Sequence, residues 1–331
     1  MHVLARAIEA LGHTVDFETP RLLLPLPVYT AERLVFNRGL RARPDYDLTV
    51  GFDMDGYRIA AEARHVASLK GVIADEVRFE SGLTRFTMGV QARCERLHAQ
   101  RAARVVVTSR YSADRAREFY RLERAPAVVP EPIDLAEWRR FLAEAGDRPH
   151  DRFRVLFVGR FYRRKRVDVL LRAAAALSTR IPNLELRIVG NGPCAAQWRA
   201  LAGDLKLGGA VAWLGDVSRS QLADEYRACD LFCLPSVQEG FGIVLLEAMA
   251  AGRAIVASRA AAIPEVAPHS VLVEPENHEA LAAAIEELHG SPVKRAELCR
   301  TGAQWVEQFD APRVARLFLD AATGVATGLP V

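Results

Sequence analysis

Lysine is scarce in this chain. Of 44 basic residues in 331, only Lys70, Lys165, Lys206 and Lys294 are lysine, so each invites the question why a compact ammonium replaces the usual guanidinium. The five cysteines form an odd, scattered set with no C-x-x-C pair, which excludes a disulfide framework and a zinc site of ordinary spacing. Reduced thiols are the expectation. No apolar run approaches the ~20 residues of a membrane helix, and there are no internal repeats or low-complexity segments. A net charge of +3 gives no reason to expect a nucleic-acid partner. The chain has no Walker A loop, no Gly-x-Ser-x-Gly elbow and no G-x-G-x-x-G after a first strand, so NTPase, hydrolase and dehydrogenase readings lose support. No His/Asp/Cys cluster of ligand spacing is present, and no metal or other cofactor is expected. Residues 1–12 read as an amphipathic helix capped by Gly12, without the apolar core of a signal peptide. The expected location is cytoplasmic, with a peripheral membrane association left open.

A chain of this length suits two domains, each able to bury a core. From residue 154 onward, short apolar runs alternate with helical patterns. Strands are expected at 154–158, 184–189, 211–214, 230–234, 254–257 and 270–273, with helices at 167–178, 195–205, 221–228, 243–251 and 278–289. That alternation predicts βαβ units and a parallel, doubly wound sheet. The first part is less regular but also α/β, with strands expected at 14–18, 46–52, 105–108 and 127–129 and helices at 32–40, 89–102 and 113–120. A polar stretch at 144–151 reads as a linker. The expected division is a first lobe over 1–148, a second over 149–310, and a C-terminal helix and tail over 311–331 packing back on the first. Two α/β lobes imply a cleft between them as the small-molecule site.

The most informative segment is Ser236-Val-Gln-Glu-Gly-Phe-Gly-Ile-Val-Leu-Leu-Glu-Ala-Met-Ala250. An apolar run leads into it, Gly240 and Gly242 allow a sharp bend, and an apolar helix follows. The N-terminus of such a helix offers unpaired N–H groups and the positive dipole end, a natural seat for phosphate. Glu239 precedes that terminus. Glu247 lies roughly 7 Å along the helix at 1.5 Å per residue. The two carboxylates could therefore address groups on either side of a bound diphosphate; the plain alternative is two solvated glutamates at an ordinary turn. Upstream, Val158-Gly-Arg-Phe-Tyr-Arg-Arg-Lys-Arg-Val167 crowds five cations at a helix start, an unfavourable place for them unless an anion is bound.

Together these segments resemble the signature of retaining family 4 glycosyltransferases of the GT-B fold, which place an E-x7-E motif after a cationic Gly-Arg-x4-Lys loop. The resemblance is dense from residue 154 to about 287 and diffuse before it. It implies two Rossmann-like lobes and a nucleotide-sugar donor held by the second. Arg160 and Lys165, with Gly159, would grip the diphosphate. Glu239 would serve the transferred sugar as the catalytic carboxylate, and Glu247 would take the ribose hydroxyls. Gly240, Phe241, Gly242, Ile243 and Val244 would line the donor site at the helix start, and Gly192 and Val217 would wall the nucleotide from the two preceding loops. His65, in Arg64-His-Val-Ala-Ser-Leu-Lys-Gly71, is a candidate beside the donor sugar; a lone histidine is more often structural. The family's glycine after the lysine is Arg166 here, and the glycines before Pro264-Glu265 are alanines.

The family's opening strand and Gly-rich loop have no counterpart in this sequence. The first lobe is expected either to begin downstream of them or to be built without its opening strand, leaving a neighbouring strand with a free edge. The expected reaction is transfer of a sugar to a hydroxyl of a glycan, lipid-linked or small-molecule acceptor, without a metal, by a chain that could oligomerise. The alternatives are a nucleotide-sugar epimerase, a sugar phosphorylase on the same fold, or a donor-binding pseudo-enzyme acting as a regulatory partner.

Overall fold

The computed structural model describes residues 2–20, 28–62, 64–146 and 150–324. Linker residues 147–149 and tail residues 325–331 lie outside the described residues. The chain divides into one unit of Met1–Pro132 with Ala311–Val331 and another of Ile133–Asp310. The boundary therefore stands ahead of the polar stretch read as a linker, because the helix Leu135–Glu144 belongs to the second unit. Asp134 caps that helix, its side chain accepting from Glu137 N–H. Trp138, wholly buried, then fixes it edge-on against Tyr226, with ring centroids 5.6 Å apart. A partner 88 residues away leaves no local pattern to read.

The second unit holds a six-stranded, all-parallel sheet. Its strands are β5 (Phe153–Val158), β6 (Leu184–Val189), β7 (Val211–Gly215), β8 (Leu231–Leu234), β9 (Ala254–Ser258) and β10 (Val271–Val273), in the spatial order β10-β9-β8-β5-β6-β7. This is a doubly wound arrangement whose strand order reverses between β5 and β8. Every residue of β8 and β9 is buried, as central strands covered by helices on both faces require. All six expected strands are present within about two residues at each end. The helix Pro292–Trp305, started by Ser291 as N-cap with a proline in its first turn, was not anticipated.

The first unit is built on β1 (Thr49–Phe52), β2 (His65–Leu69), β3 (Arg104–Val107) and β4 (Ala127–Val128), parallel and adjacent in chain order. Side chains alternate between two cores. Val66 and Val106 join Leu4, Ala7, Val314 and Phe318, so the helices His2–Glu9 and Ala311–Thr323 cover one face. Ala67 and Val107 join Leu69, Ala116 and Tyr120 on the other. Residues 14–18 form no strand, contrary to the alternation of Val15 and Phe17. They are largely exposed, and the segment is tied by side chains instead, Tyr46 Oη donating to Asp16 at 2.7 Å and Arg43 to Glu18 at 2.8 Å. Strand propensity is a preference for a half-buried pleated surface, and this segment has no ladder to join.

Strand β2 escaped the sequence reading because it carries histidine and serine, yet all five of its residues are buried. Its polar groups are satisfied within the unit. His98 Nδ1 lies 2.6 Å from the Asp53 carbonyl, which only accepts, so that nitrogen carries the proton. His98 Nε2 is then an acceptor, 2.7 Å from His65 Nε2, which must donate. His65 Nδ1 in turn accepts from the Thr49 hydroxyl at 2.9 Å. Gly51 and Gly56 floor the pair. A Cβ on Gly51 would stand 2.6 Å from the His98 ring, and one on Gly56 would stand 2.9 Å from the His65 ring. The chain of bonds closes with both rings neutral, the state that their burial favours. Burial, with the neighbouring His98, pushes His65 down to about 3, and burial pushes His98 down to about 4.

Unfolded histidine titrates near ~6.5. Between that value and about 4 the unfolded chain binds more protons, so the pair's contribution is present above ~6.5 and is lost as pH falls. Each ring contributes a slope of up to ~1.4 kcal/mol per pH unit. Asp53, pushed up to about 6 mainly by burial, acts in the opposite direction, so the useful measure is a comparison. In urea unfolding, the stability gap between wild type and His65→Gln should narrow from about pH 7.5 to about pH 5. A gap that stays constant contradicts the neutral pair.

Candidate active site

In a doubly wound sheet the loops leaving the carboxyl ends of the strands on either side of the order reversal diverge, opening a crevice. Here those are the loop 159–166 after β5 and the loop 235–242 after β8. The adjoining loops after β6 and β7 carry Gly192 and Val217, so all the second-unit residues singled out from the sequence stand at one edge of one sheet.

The first loop is anchored by Phe161, 1% exposed, whose ring packs against Trp198 and Trp213. Its backbone is joined to the neighbouring loop: Phe161 N–H donates to Asn191 O at 2.8 Å, and Cys194 N–H to Phe161 O at 2.9 Å. Two glycines permit the contact. Gly190 (φ +118°) lies so close to Gly159 that a Cβ would stand 2.1 Å from its carbonyl oxygen. Gly192 (φ +156°) would place a Cβ 2.7 Å from Phe161 N. Arg163–Lys165 then form one 3₁₀ turn, and Arg166 takes φ 49°, ψ 42°, the left-handed conformation that a glycine would adopt freely. Arg166 holds that conformation through its side chain. Its guanidinium bonds Asp168 at 3.1 and 3.0 Å and pairs with Glu276, which offsets the backbone strain. Arg160 stands exposed beside Gly159.

The two loops meet through charge. Lys165 Nζ donates to both carboxylate oxygens of Glu239, at 2.6 and 2.7 Å. Arg164 Nε donates to Gln238 Oε1 at 2.9 Å, and Val237 N–H to Arg164 O at 2.9 Å. Glu239 is 5% exposed. Burial alone would raise its carboxyl, but Lys165 and Arg164 outweigh burial and hold it below the usual carboxylate range. Gly242 (φ 89°) turns the chain into the helix Ile243–Ala250, whose N-terminus has no side-chain cap. Its first residue, Ile243, is 42% exposed, whereas the Phe241 ring is buried edge-on against Phe309 and offers the site only backbone.

Glu247 sits on the same helix with a different neighbour. Tyr226 Oη lies 3.1 Å from both Glu247 Oε2 and the Val244 carbonyl, and the Trp138 indole N–H donates to the Glu247 carbonyl at 3.1 Å. Among the described residues no ammonium faces the carboxyl, and burial pushes it up to about 7 against the lowering effect of Tyr226 and Arg219. The two glutamates are thus chemically distinct, one held ionised and one poised near neutrality. Pairs whose surroundings drive their pKa values apart are the usual basis for dividing roles.

Lys165 and Glu239 are brought into direct contact, and Gly159, Arg160 and Gly192 lie in the loops around them. Val217 is half-buried two strands away, after the edge strand β7. His65 belongs to the first unit, 1% exposed with both ring nitrogens engaged, and its part is in that unit's core. Tyr226, Arg164 and Gln238 were not foreseen. Tyr226 lies inside the expected helix 221–228 with no motif to single it out, and Arg164 was one cation among five. Because the β5 and β6 loops touch through bare backbone, Gly190→Ala should cost at least ~3 kcal/mol through overpacking and a glycine-only φ. A urea midpoint unchanged by that substitution would contradict the fitted contact.

Residues 139–305 match the family model described as glycosyl transferases group 1. The D-inositol 3-phosphate glycosyltransferase of Pseudarthrobacter chlorophenolicus is 31% identical over 205 residues, covering 59% of this chain and 49% of the relative. The chain spans about half the length of the curated relatives it matches first. Among solved structures, sucrose-phosphate synthase from Thermosynechococcus elongatus aligns with a TM-score of 0.78 at 22% identity, covering 97% of this chain and 91% of that one. Anabaena Alr3699/HepE, solved with UDP and glucose, aligns with a TM-score of 0.69 at 19% identity, covering 97% and 89%. These likenesses show the two-sheet GT-B fold.

Proposed function

Since the chain belongs to the glycosyl transferases group 1 family, we propose that it moves a sugar from a nucleotide-diphosphate donor to an acceptor hydroxyl with retention of configuration. The observation that carries this reading is the Lys165–Glu239 pair at the strand-order reversal, beside the uncapped start of the helix Ile243–Ala250. A diphosphate seated there would meet Arg160, the Lys165 ammonium and the helix N–H groups. As the glycosidic bond breaks, negative charge builds on the departing diphosphate, and cations fixed in place beforehand stabilise it without reorganising. Lys165 has three N–H donors, so one can turn from its present partner to a phosphate oxygen while another still holds Glu239.

Glu239, ionised by its neighbours, supplies the opposite charge to the sugar. It orients the ring and stabilises oxocarbenium character at the anomeric carbon, as carboxylates do in glycosidases. Glu247 accepts hydrogen bonds from the ribose hydroxyls, a contact made equally in ground and transition states. No metal is assigned a part, the diphosphate charge being met by protein cations. The acceptor class is a hydroxyl of a glycan, a lipid-linked sugar or a small polar molecule.

A thermal-shift panel of UDP, GDP, ADP and TDP sugars tests the reading, because a ligand that binds only the folded state raises its stability by RT ln(1 + [L]/Kd). At least one should raise the midpoint, and a flat panel would contradict the proposal. The glutamates should separate kinetically: Glu239→Gln lowers kcat by a factor on the order of 100 or more, while Glu247→Gln mainly raises KM. Raised KM with normal turnover in both would refute the division of roles. Because Glu247 titrates near 7 and binds hydroxyls best when ionised, nucleotide affinity should rise from about pH 6 to about pH 8, and Glu247→Gln should flatten that rise.

A further inference from the structure

Tyr226, on the helix Arg219–Ala228, is wholly buried, yet its hydroxyl touches two acceptors at once. Oη lies 3.1 Å from Glu247 Oε2 and 3.1 Å from the Val244 carbonyl, and a phenol has a single hydrogen to give. Burial and the charge of Glu247 hold its own titration well above the usual phenol range, so that hydrogen stays in place. The ring is fixed by Trp138, edge-on with centroids 5.6 Å apart, and by Phe232, tilted at 5.6 Å. Rotation about the C–O bond is the motion left to it.

Counting hydrogens divides this contact into two states. With Glu247 ionised, Oε2 only accepts, and Tyr226 aims its hydrogen at the carboxylate. With Glu247 protonated on Oε2, the acid donates to Oη and Tyr226 turns its hydrogen to the Val244 carbonyl. Both states are fully bonded. Oε1 is left over: among the described residues no group donates to it, and Glu247 is half-buried rather than enclosed. On the reading that Glu247 accepts from the ribose hydroxyls of the donor, we propose that Tyr226 is a positioning residue, its hydroxyl holding Oε2 of the ionised carboxylate so that Oε1 is presented to the ribose. Where the pair starts protonated, donor binding sends the Glu247 proton to solvent, and the phenol hydrogen turns from Val244 back to Oε2.

Few other charges act on this carboxyl. Arg219 does so from the same helix as Tyr226, and is itself paired with Glu137 of the helix Leu135–Glu144 at 3.5 Å. The helix Pro292–Trp305, the turn Val306–Phe309 and β9 also pack against Ile243–Ala250, and among the described residues they bring no further titratable group to bear on Glu247. Burial favours the neutral acid, and the phenol is the main group opposing it.

Calorimetric titration of the whole chain with UDP-glucose, GDP-mannose and ADP-glucose, from about pH 5.5 to about pH 8.5, tests the assignment. Intact sugar nucleotides are the probes because a free nucleoside diphosphate has a terminal phosphate that itself titrates near ~6. Without the phenol's hydrogen bond burial is less opposed, so Tyr226→Phe should move the rise in affinity to higher pH. Its binding should be weaker than wild type by roughly three- to tenfold at about pH 6 and converge on wild type towards about pH 8.5. A tyrosine that only packs would cost the same factor at every pH. In a Glu247→Ala background, Tyr226→Phe should cost less than about twofold, since its action passes through that carboxylate. Fluorine placed ortho to the hydroxyl of Tyr226 makes a stronger donor of nearly the same shape, and should move the rise to lower pH, a second measurement that leaves the packing in place. A wild-type rise that Glu247→Ala flattens but that Tyr226→Phe and the fluorinated ring leave where it is overturns the role of Tyr226 alone. Binding of none of the probes, or binding by wild type that ignores pH, overturns the reading of Glu247 and this role with it.

Discussion

A single buried ion pair ties the second unit's site together. β5 and β8 are neighbours in the sheet, but the chains leaving them diverge, and a crevice between diverging loops has no backbone ladder to fix its width. Lys165 and Glu239 supply that constraint, with the Arg164–Gln238 and Val237–Arg164 bonds beside them. Their side chains are 13% and 7% exposed, so the pair was desolvated at a cost, and removing either partner would strand a buried charge. The remaining features follow from keeping those two groups in register. The left-handed Arg166 ends the turn that presents Lys165, the Gly190 and Gly192 contacts fix that turn's base, and Gly242 redirects the chain so that a helix begins just beyond Glu239.

The contrast between the glutamates shows how one loop and the short helix it opens support two kinds of chemistry. Eight residues separate them, yet one faces an ammonium and the other a phenol. An ammonium fixes the protonation state, whereas a hydroxyl can donate to a carboxylate or accept from a carboxylic acid. Glu239 is therefore suited to a permanent charge and Glu247 to hydrogen bonding whose strength depends on the surroundings.

Much of this was legible in the residues. Parallel strands buried on both faces read as short apolar runs, so the second sheet could be placed within a residue or two, and glycine and cation spacing marked the two loops that meet. What could not be read depended on distant partners. The polar start of β2 can be buried because His65 finds His98, 33 residues on, and Thr49. The helix Leu135–Glu144 belongs to the second unit only because Trp138 finds Tyr226. Residues 14–18 carry the alternation of a strand without a neighbour to pair with. Arg166 in place of glycine looked like a departure in loop shape, and its ion pairs with Asp168 and Glu276 show how side-chain bonds hold a backbone conformation that glycine would adopt unaided.

The indole of Trp138 donates to the backbone of the residue whose carboxylate meets Tyr226, and its ring lies edge-on to that same tyrosine. The protein thus carries a fluorophore coupled by two contacts to Glu247, while Trp198 and Trp213 flank Phe161 at the base of the cationic loop. Three of the four tryptophans therefore border the loops of this one sheet edge. A change at that edge should therefore register in the protein's natural emission, above a constant contribution from Trp305.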